Sequence, residues 1–271
     1  ILRDDELGRE ICDLLKDAVK KGVDVRFLYD AVGSWTLKKR FVDKMNEAGV
    51  KMHSFMPVSF AIFRRRTNFR NHRKIMVVDG KIAFTGGLNI GVEYQGKGHL
   101  GFWRDTFVKV EGESVAALHE IFIHDWCDRR DEDPEEIRKY LGLPKNLRTK
   151  GIGFEKLPTL PVQVAASGTD NGWHVISRGY WNMISHARKR VWVTSPYLVP
   201  GAPLMYALSN AALSGVDVRI LMPSSKDHFL VFWGSRSNIE PLLRSGVRIF
   251  QYQKGFVHTK SIVADDDIAS V

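Results

Sequence analysis

The sequence has few cysteines and no long hydrophobic segment, and each lack excludes a class of protein. Its 271 residues include only two cysteines, Cys12 and Cys127, which lie far apart and without the spacing of metal ligands. We therefore expect both to be buried, reduced and structural. No apolar run approaches the roughly 18 residues that span a bilayer, and no signal peptide is visible. Because the chain begins at Ile1 rather than Met, we expect a piece of a longer protein.

The composition is that of a globular protein with an excess of positive charge. Hydrophobic residues make up 44% of the chain, which argues against disorder. Lysine and arginine number 40 against 31 acidic residues, so the formal net charge is +9. This excess suits an anionic partner, either phospholipid headgroups or nucleic acid, and the charge alone does not separate the two.

The chain contains an internal repeat. Residues 21–26, Lys-Gly-Val-Asp-Val-Arg, recur as residues 214–219, Ser-Gly-Val-Asp-Val-Arg. In both copies an amphipathic helix precedes a glycine, Gly22 or Gly215, at which a left-handed backbone ends the helix. The apolar positions at helical spacing are Leu7, Ile11, Leu14, Leu15 and Ala18 in the first copy, and Leu204, Leu208, Ala211 and Ala212 in the second.

A second helix and strand follow in each copy. Ser34 is predicted to cap the first of these helices, which ends at Gly49 before a strand over residues 50–55. Residues 235–245 correspond to it in the second copy and lead to a strand over residues 247–252. Alternating helices and strands of this length predict parallel strands covered by helices, and therefore the α/β class.

The repeat also predicts the domain limits. The first half covers residues 1–130 and the second covers residues 162–271. Between them, residues 131–161 are charged and rich in proline, which predicts a connector with room for one short helix.

The sharpest signal is the pattern His-x-Lys-x4-Asp, which occurs at equivalent points of the two copies. In a strand, residues i and i+2 point to one face, so the histidine and lysine of each copy are expected to project together. One imidazole can then attack the phosphorus of a phosphodiester while the other protonates the leaving oxygen. Lysines would neutralise the phosphoryl oxygens. The two copies are His72, Lys74, Asp79 and His258, Lys260, Asp265.

The aspartate of the motif has a second interpretation. Asp79 precedes Gly80, and the residues on either side of this pair alternate as a β-hairpin does. A turn position for Asp79 is favoured over a direct chemical role. After the hairpin, Gly86 and Gly87 would let the backbone approach a ligand, and Asn89 could donate to a phosphoryl oxygen.

These motifs resemble the phospholipase D superfamily, and bacterial cardiolipin synthases in particular. The resemblance runs along nearly the whole chain and implies two pseudo-twofold-related α/β/α sandwich halves of the phospholipase D fold. It also implies a phosphohistidine mechanism without metal or cofactor. The segments that carry the resemblance are residues 71–74, Asn-His-Arg-Lys; 86–91, Gly-Gly-Leu-Asn-Ile-Gly; 103–106, Trp-Arg-Asp-Thr; 195–197, Ser-Pro-Tyr; and 252–256, Tyr-Gln-Lys-Gly-Phe.

By this resemblance, His72 is the nucleophile and His258 is the general acid and then the general base. The residues expected to hold the phosphate are Lys74, Lys260 and Asn89, with Gly87 beside them. The family also implies an acidic partner for the nucleophile's Nδ1, and Asp105 matches its position. Such a carboxylate would fix the tautomer of the imidazole. The alternative for Asp105 is a surface ion pair with Arg104.

The sequence departs from the family pattern after its second motif. The Gly-x-x-Asn segment expected there is absent, as are the two amino-terminal membrane helices usual in the family. We therefore expect the second half-site to be incomplete in this chain and the full-length protein to lie at the bacterial cell membrane.

Three functions remain open at this stage. The first is a phosphatidyl transfer that joins two phosphatidylglycerols into cardiolipin and releases glycerol, at a membrane surface and with no obligatory nucleic acid. The second uses water as acceptor, as a phospholipase D or nuclease does. The third is an inactive module that binds anionic surfaces. A basic and aromatic stretch upstream of His72 could bind lipid headgroups or a nucleic-acid backbone, or be a solvated loop. It consists of Phe60, Phe63, Arg64–Arg66, Phe69, Arg70 and Arg73.

Overall fold

The structure is a computed structural model that describes residues 1–55, 70–127, 133–140, 160–168 and 173–271. The chain divides into two compact units. The first unit comprises Ile1–Thr85, Asn89–Val92 and Lys109–Val164, and the second comprises Gly86–Leu88, Glu93–Val108 and Ala165–Val271. The domain limits drawn from the repeat stay a prediction.

The first unit opens with the predicted helix–strand–helix–strand order. The elements are α1 (Glu6–Lys20), β1 (Arg26–Asp30), α2 (Lys39–Glu47) and β2 (Lys51–Phe55). The strands β1 and β2 pair in parallel, with Arg26 opposite Lys51, as a helical crossover between them requires. The two helices end in glycines of positive φ, Gly22 at 85° and Gly49 at 88°. The buried core of these elements consists of Leu2, Cys12, Met45, Val50 and Met52.

The prediction that Ser34 caps α2 is wrong. The helix begins at Lys39 with Lys38 in the capping position, and no side chain caps it. Ser34 is buried, and its hydroxyl accepts a hydrogen bond from the backbone amide of Leu2 at 3.0 Å. The Ser34 hydroxyl, which the local sequence predicts to be a helix cap, therefore makes a tertiary contact instead.

The predicted hairpin is present. The strands β3 (Ile75–Val78) and β4 (Ile82–Gly86) are antiparallel, with Ile75 opposite Thr85. Asp79 and Gly80 both have positive φ, 51° and 63°, as a two-residue turn of the type that matches strand twist requires. The remaining elements of this region are a 3₁₀ helix (Val92–Gln95), β5 (Trp103–Arg104), β6 (Phe107–Glu111), α3 (Ser114–Cys127) and α4 (Pro134–Tyr140).

Strand order and burial complete the first unit. The hairpin continues into a three-stranded sheet of order β3-β4-β6. The short helix α4 lies within the predicted connector. Both cysteines are buried thiols, Cys12 with 2% and Cys127 with 4% of its surface exposed, so the prediction that they are buried is confirmed, and their structural role stays a prediction.

The second unit is built on a five-stranded sheet of order β12-β11-β7-β8-β9. The strands β7, β8 and β9 are parallel, while β11 runs antiparallel to β7 and β12. The elements are α5 (Val175–His186), β7 (Arg190–Thr194), α6 (Ala202–Leu213), β8 (Asp217–Pro223), α7 (Phe229–Ser237), α8 (Ile239–Arg244), β9 (Arg248–Tyr252), β10 (Phe256–Val257), β11 (Ser261–Ala264) and β12 (Ile268–Ser270).

The core of this unit lies against one face of the sheet. Val218, Ile220 and Met222 alternate along β8 and are each at most 1% exposed, as strand residues two apart on a buried face are. They pack with buried residues of α5 and α6, including Ile184 and Leu208. The parallel strands joined through helices confirm the predicted α/β class.

Some predictions fall outside the described residues. These are most of the basic and aromatic stretch, residues 56–69, and most of the connector, residues 128–132 and 141–159. Among the residues that the structure does describe, no helix combines the length and the apolar character needed to cross a bilayer.

Candidate active site

The two motifs have the same local geometry. His72 and Lys74 lie in irregular backbone just before β3, and His258 and Lys260 lie just before β11. Lys74 Nζ is 2.9 and 3.0 Å from the two ring nitrogens of His72 and 2.8 Å from its carbonyl oxygen. Lys260 Nζ is 2.7 and 2.9 Å from the ring nitrogens of His258 and 2.6 Å from its carbonyl oxygen. Each motif therefore places one ammonium group against one imidazole.

A buried carboxylate at the end of β1 holds the chain just before His72. Asp30 is 3% exposed. Its Oδ1 accepts a hydrogen bond from Arg70 Nη2 at 2.9 Å, and its Oδ2 accepts one from the backbone amide of Asn71 at 3.1 Å. A buried charge must be paired and hydrogen-bonded to be tolerated, so these contacts fix the position of the segment.

A second buried carboxylate, on α3, holds both neighbours of His72. Asp125 is 8% exposed. Its Oδ2 accepts from Asn71 Nδ2 at 2.8 Å, and its Oδ1 accepts from Arg73 Nη1 at 2.6 Å. His72 itself is exposed. The imidazole is thus presented at the surface on a backbone that is tied down on both sides.

Strand pairing in the second unit explains how its site is assembled. The strands β5 and β10 are parallel, with Phe256 opposite Trp103 and Val257 opposite Arg104. The backbone amide of His258 extends this pairing by donating to the carbonyl of Arg104 at 2.8 Å. The next residue after Arg104 is Asp105, so the register brings its carboxylate to His258.

The contact between these two side chains is short and buried. Asp105 Oδ2 lies 2.6 Å from His258 Nδ1, and the side chains of the histidine and aspartate are 6% and 0% exposed. The other carboxylate oxygen, Oδ1, accepts from the backbone amide of Thr106 at 2.8 Å. A proton on Nδ1 can be donated to this carboxylate, and this tautomer would leave Nε2 for chemistry.

Both sequence interpretations of Asp105 require correction. The sequence predicts that it supports the nucleophile, His72, but its carboxylate contacts His258 instead. The alternative, a surface ion pair with Arg104, is wrong because the side chain of Asp105 has no exposed surface. The missing information is the pairing of β5 with a strand about 150 residues later, which local sequence does not encode.

Gly87 makes room for this carboxylate. A Cβ atom at Gly87 would lie 2.1 Å from Asp105 Oδ1 and 2.4 Å from Oδ2, far inside contact distance. The backbone amide of Gly87 also donates to the carbonyl of Thr106 at 3.0 Å. Gly87 therefore has a structural reason to be glycine, and its contact with a substrate stays a prediction.

Aromatic side chains without a predicted role surround His258, and two of them, Trp103 and Phe256, lie in segments that carry the family resemblance. The hydroxyl of Tyr94 is 3.2 Å from His258 Nδ1, and the ring of Trp103 has its centroid 5.1 Å from that of the histidine. Phe256 is fully buried and stacks on Trp103 with centroids 4.6 Å apart. These three aromatic side chains restrict the access of water to the imidazole, which strengthens its interaction with Asp105.

Burial sets the protonation of the second lysine. Removal from water lowers the pKa of Lys260 from 10.5 to about 8, while the carboxylates of Asp105 and Asp227 act in the opposite direction. Asp227 is in turn bound by the hydroxyl of Tyr197, whose pKa is raised by burial and by that hydrogen bond. Tyr197 belongs to the Ser-Pro-Tyr segment at residues 195–197, so this segment binds a carboxylate that acts electrostatically on Lys260.

The aspartates of the two motifs occupy turns. Asp79 and Asp265 have φ of 51° and 50°. Asp265 Oδ1 accepts from the backbone amides of Lys189 and Arg190 at 2.7 and 3.0 Å, and these bonds lower its pKa. This geometry favours the structural interpretation, and a chemical role for either residue stays a prediction.

The predicted residues divide between the two units. Asp105, His258 and Lys260 are brought together within the second unit. Among the described residues, no group of three or more His, Cys, Asp or Glu side chains is gathered as metal ligands would be. The predicted residues of the first unit are His72, Lys74, Asp79 and Asn89, and those of the second are Gly87, Asp105, His258, Lys260 and Asp265.

Residues 7–126 and 180–271 match the family model described as "Cardiolipin synthase, PLD-like domain". The chain belongs to this family. The prediction of a cardiolipin synthase-type member of the phospholipase D superfamily is confirmed. The matched ranges include both His-x-Lys-x4-Asp motifs, Asp105 and the helix α7.

Curated members of the family are similar along the whole chain. Cardiolipin synthase 2 of Bacillus anthracis is 46% identical over 272 residues, which cover 100% of this chain and 51% of that protein. Cardiolipin synthase of Alkalihalophilus pseudofirmus is also 46% identical, with 100% and 52% covered. The chain therefore spans about half the length of the curated relatives it matches.

Solved structures support the fold. Phosphatidylserine synthase of Haemophilus influenzae superimposes with a TM-score of 0.63 at 15% identity, covering 98% of this chain and 69% of that one. Polyphosphate kinase of Porphyromonas gingivalis gives a TM-score of 0.51 at 12% identity, with 97% and 37% covered. At these identities the likeness shows a shared fold, in agreement with the predicted phospholipase D fold.

Proposed function

We propose that the chain carries catalytic machinery of a phosphatidyltransferase that joins two phosphatidylglycerol molecules into cardiolipin and releases glycerol. The observation that carries the proposal is the buried dyad of His258 and Asp105 with the ammonium of Lys260 against it. The family and its curated cardiolipin synthases support the choice of lipid chemistry.

The first step transfers the phosphatidyl group to the protein. Neutral His72 attacks phosphorus, a phosphorus–nitrogen bond forms, and the bond from phosphorus to the glycerol oxygen breaks. His258, as imidazolium, donates its proton to that oxygen, and glycerol leaves. Lys74 and Lys260 hold the phosphoryl oxygens, and Asn89 donates to them.

The second step releases the product. The hydroxyl of a second phosphatidylglycerol gives its proton to His258, which is now neutral, and attacks phosphorus. A phosphorus–oxygen bond forms, the phosphorus–nitrogen bond to His72 breaks, and cardiolipin results. His258 regains its proton and His72 its lone pair, so the pair is ready for another cycle.

Asp105 supports the role of acid for His258. A carboxylate on Nδ1 stabilises the positive charge of an imidazolium and orients Nε2 toward the substrate. The proposed reaction requires His258 to begin protonated and His72 to begin neutral. The carboxylate contact at His258 supports its imidazolium form, while the order of the two roles is taken from the family resemblance.

The substrates imply where the protein acts. Phosphatidylglycerol is an anionic membrane lipid, and the formal net charge of +9 favours association with an anionic surface. The proposal therefore places the full-length protein at a bacterial cell membrane, with the two lipids as its partners and with no metal or cofactor in the reaction.

The test is a product assay with the complete protein in phosphatidylglycerol micelles, with EDTA present throughout. The expected result is cardiolipin with an equimolar amount of glycerol. The variant His258→Asn should lose both products, while His186→Asn, which changes an exposed histidine outside the motifs, should keep them. Phosphatidic acid without cardiolipin would make the protein a hydrolase, and loss of turnover in EDTA would overturn the metal-free mechanism.

A further inference from the structure

The helix α7 exposes a cluster of large apolar side chains. Phe229, Leu230 and Trp233 have 63%, 82% and 56% of their surfaces exposed. Residues four apart lie on one face of a helix, and the rings of Phe229 and Trp233 are neighbours with centroids 6.3 Å apart. These three residues form the α7 patch. Contiguous apolar surface on a protein usually marks an interaction site.

An exposed lysine lies beside the α7 patch. Lys226 is exposed just before the start of the helix, and its Nζ lies 5.6 Å from the centroid of the Phe229 ring. His228, also exposed, precedes Phe229 directly. The carboxylate between Lys226 and His228, Asp227, has a side chain only 10% exposed and is bound by the Tyr197 hydroxyl. An apolar patch beside an exposed lysine is complementary to an anionic lipid surface.

The α7 patch follows a residue that acts electrostatically on the second half-site. Asp227 is two residues before Phe229, and its negative charge raises the pKa of Lys260. A phospholipid whose phosphodiester lies at Lys260 must also keep its acyl chains in an apolar phase. A patch at this end of the helix would let the protein meet the lipid without drawing it fully out of the bilayer.

We propose that α7 is a membrane-docking helix, with Phe229, Leu230 and Trp233 inserted at the boundary between headgroups and acyl chains and Lys226 on the anionic headgroups. Aromatic and aliphatic side chains prefer this boundary, and one basic residue near it adds attraction to anionic lipid. The purpose of docking rests on the proposed function, because a lipid substrate is what docking would deliver. Docking itself is measured without turnover.

The first experiment places an environment-sensitive fluorophore on the α7 patch of the complete protein. Leu230→Cys is labelled, with Leu213→Cys on α6 as the matched control because Leu213 is 70% exposed. The two cysteines of this chain, Cys12 and Cys127, are 2% and 4% exposed, so the label on this chain goes to the new cysteine, and the unsubstituted complete protein measures background labelling. The vesicles contain phosphatidylglycerol with brominated acyl chains, which quench only a fluorophore that enters the bilayer.

The expected result is a blue shift and strong quenching at position 230, with neither at position 213. Lys226→Gln should weaken vesicle binding by roughly fivefold, the contribution of one basic residue near an anionic surface. An unquenched label at position 230 would overturn the proposal. A label already shielded without vesicles would also overturn it, because another segment or a second copy would then cover the patch.

The second experiment separates docking from chemistry. The double variant Phe229→Ser/Trp233→Ser is compared with Tyr206→Ser/Leu213→Ser, whose parent residues are each 70% exposed on α6. We expect at least roughly tenfold slower turnover of vesicle phosphatidylglycerol by the first variant, because two buried apolar side chains are lost from the bilayer contact. Turnover of a short-chain phosphatidylglycerol dissolved as monomers should be unchanged.

An equal loss of turnover on both substrates would contradict docking, since the defect would then lie in the chemistry. If the unaltered protein turns over neither lipid, the proposed function fails. The quenching measurement still decides docking in that case, so the two failures are distinguishable.

Discussion

At the scale of single residues, the dyad of Asp105 and His258 is the centre of the proposed chemistry. Both side chains are almost entirely removed from solvent, and the carboxylate also binds the amide of Thr106. Breaking a buried pair by removing one partner leaves the other uncompensated, which is costly. The dyad therefore has consequences for activity and for stability that can be measured separately.

Asp105→Asn removes the charge while nearly preserving the shape of the side chain. The imidazolium of His258 loses its stabilising carboxylate, so we expect kcat/KM to fall by about 10²- to 10⁴-fold, the usual contribution of a positioned acid or base. Asp266→Asn, at a carboxylate that is 66% exposed, is the control and should leave kcat/KM unchanged. A kcat/KM for Asp105→Asn equal to that of the control would contradict the role of the dyad.

The lowered pKa of Lys260 predicts that activity falls at alkaline pH. The lysine must be charged to hold phosphoryl oxygens, and burial lowers its pKa to about 8, so the charge is lost as pH rises through 8. We expect kcat/KM, which reports the free enzyme, to fall above that pH. In Lys260→Arg the guanidinium stays charged, so the alkaline limb should move away from pH 8 even if the maximal rate is lower, and the limb that remains is the loss of the proton on the general acid His258.

The control for the pH profile is Lys254→Arg, at an exposed lysine outside the motif. Lys254→Arg should show the same decline in kcat/KM above pH 8 as the unaltered protein. The same alkaline limb in Lys260→Arg would show that another group titrates there, and would remove Lys260 from the account of pH dependence.

At the scale of elements, close approach between a loop and a strand end determines where the dyad lies. Gly87, just after β4, touches the carboxylate of Asp105, which follows β5. Gly87→Ala would place a methyl group 2.1 Å from Oδ1 and must displace the carboxylate. We expect kcat/KM to fall nearly as far as in Asp105→Asn.

The matched control for this prediction is Gly179→Ala. Gly179 lies on α5, and a Cβ atom added there would have no atom from outside the neighbouring turns of the helix within 4 Å. Alanine in a helix interior is about 0.5–1 kcal/mol more stable than glycine, so this variant should unfold at slightly higher urea concentration with unchanged activity. Full activity in Gly87→Ala would mean that the loop yields, and that the contact does not position the dyad.

Two elements also position the first motif. The end of β1 and the helix α3 supply Asp30 and Asp125, which hold the residues on either side of His72. Asp125→Asn replaces a charge-assisted hydrogen bond to Arg73, so we expect a loss of about 2 kcal/mol in the free energy of unfolding, measured by urea titration. We also expect kcat to fall more than KM rises.

The control is Asp13→Asn, at a carboxylate that is 72% exposed on α1. It should change neither quantity, because exposed ion pairs contribute little. A purely structural role for Asp125 would lower stability while leaving kcat of the remaining folded protein unchanged.

The sequence predicts the elements well where the signal is local. Gly22 and Gly215 end helices as expected, at φ of 85° and 89°, and the turn at Asp79 forms the predicted hairpin. Prediction fails where a tertiary partner decides the outcome. Ser34 binds Leu2 rather than capping a helix, and Asp105 binds His258 because β5 pairs with β10. Hydrogen bonds between distant segments have no local pattern from which they could be inferred.

At the scale of the whole molecule, two copies of one motif lie in different units and differ in environment. His72 is exposed, whereas His258 is 4% exposed and held by a carboxylate. A double displacement requires one imidazole to attack while the other transfers a proton, so the two must begin in different protonation states. The doubled motif could be predicted from the sequence, but the difference between the copies depends on burial.

The most direct test of the account uses a phosphatidyl ester of p-nitrophenol with the complete protein. This leaving group departs without a proton, so His258→Asn should still transfer the phosphatidyl group to His72 and release a burst of nitrophenolate equal to the enzyme present. Slow resolution would follow because the general base is missing. His72→Asn should give no burst. A burst from His72→Asn with none from His258→Asn would reverse the two roles, and no burst from either would contradict a phosphohistidine intermediate.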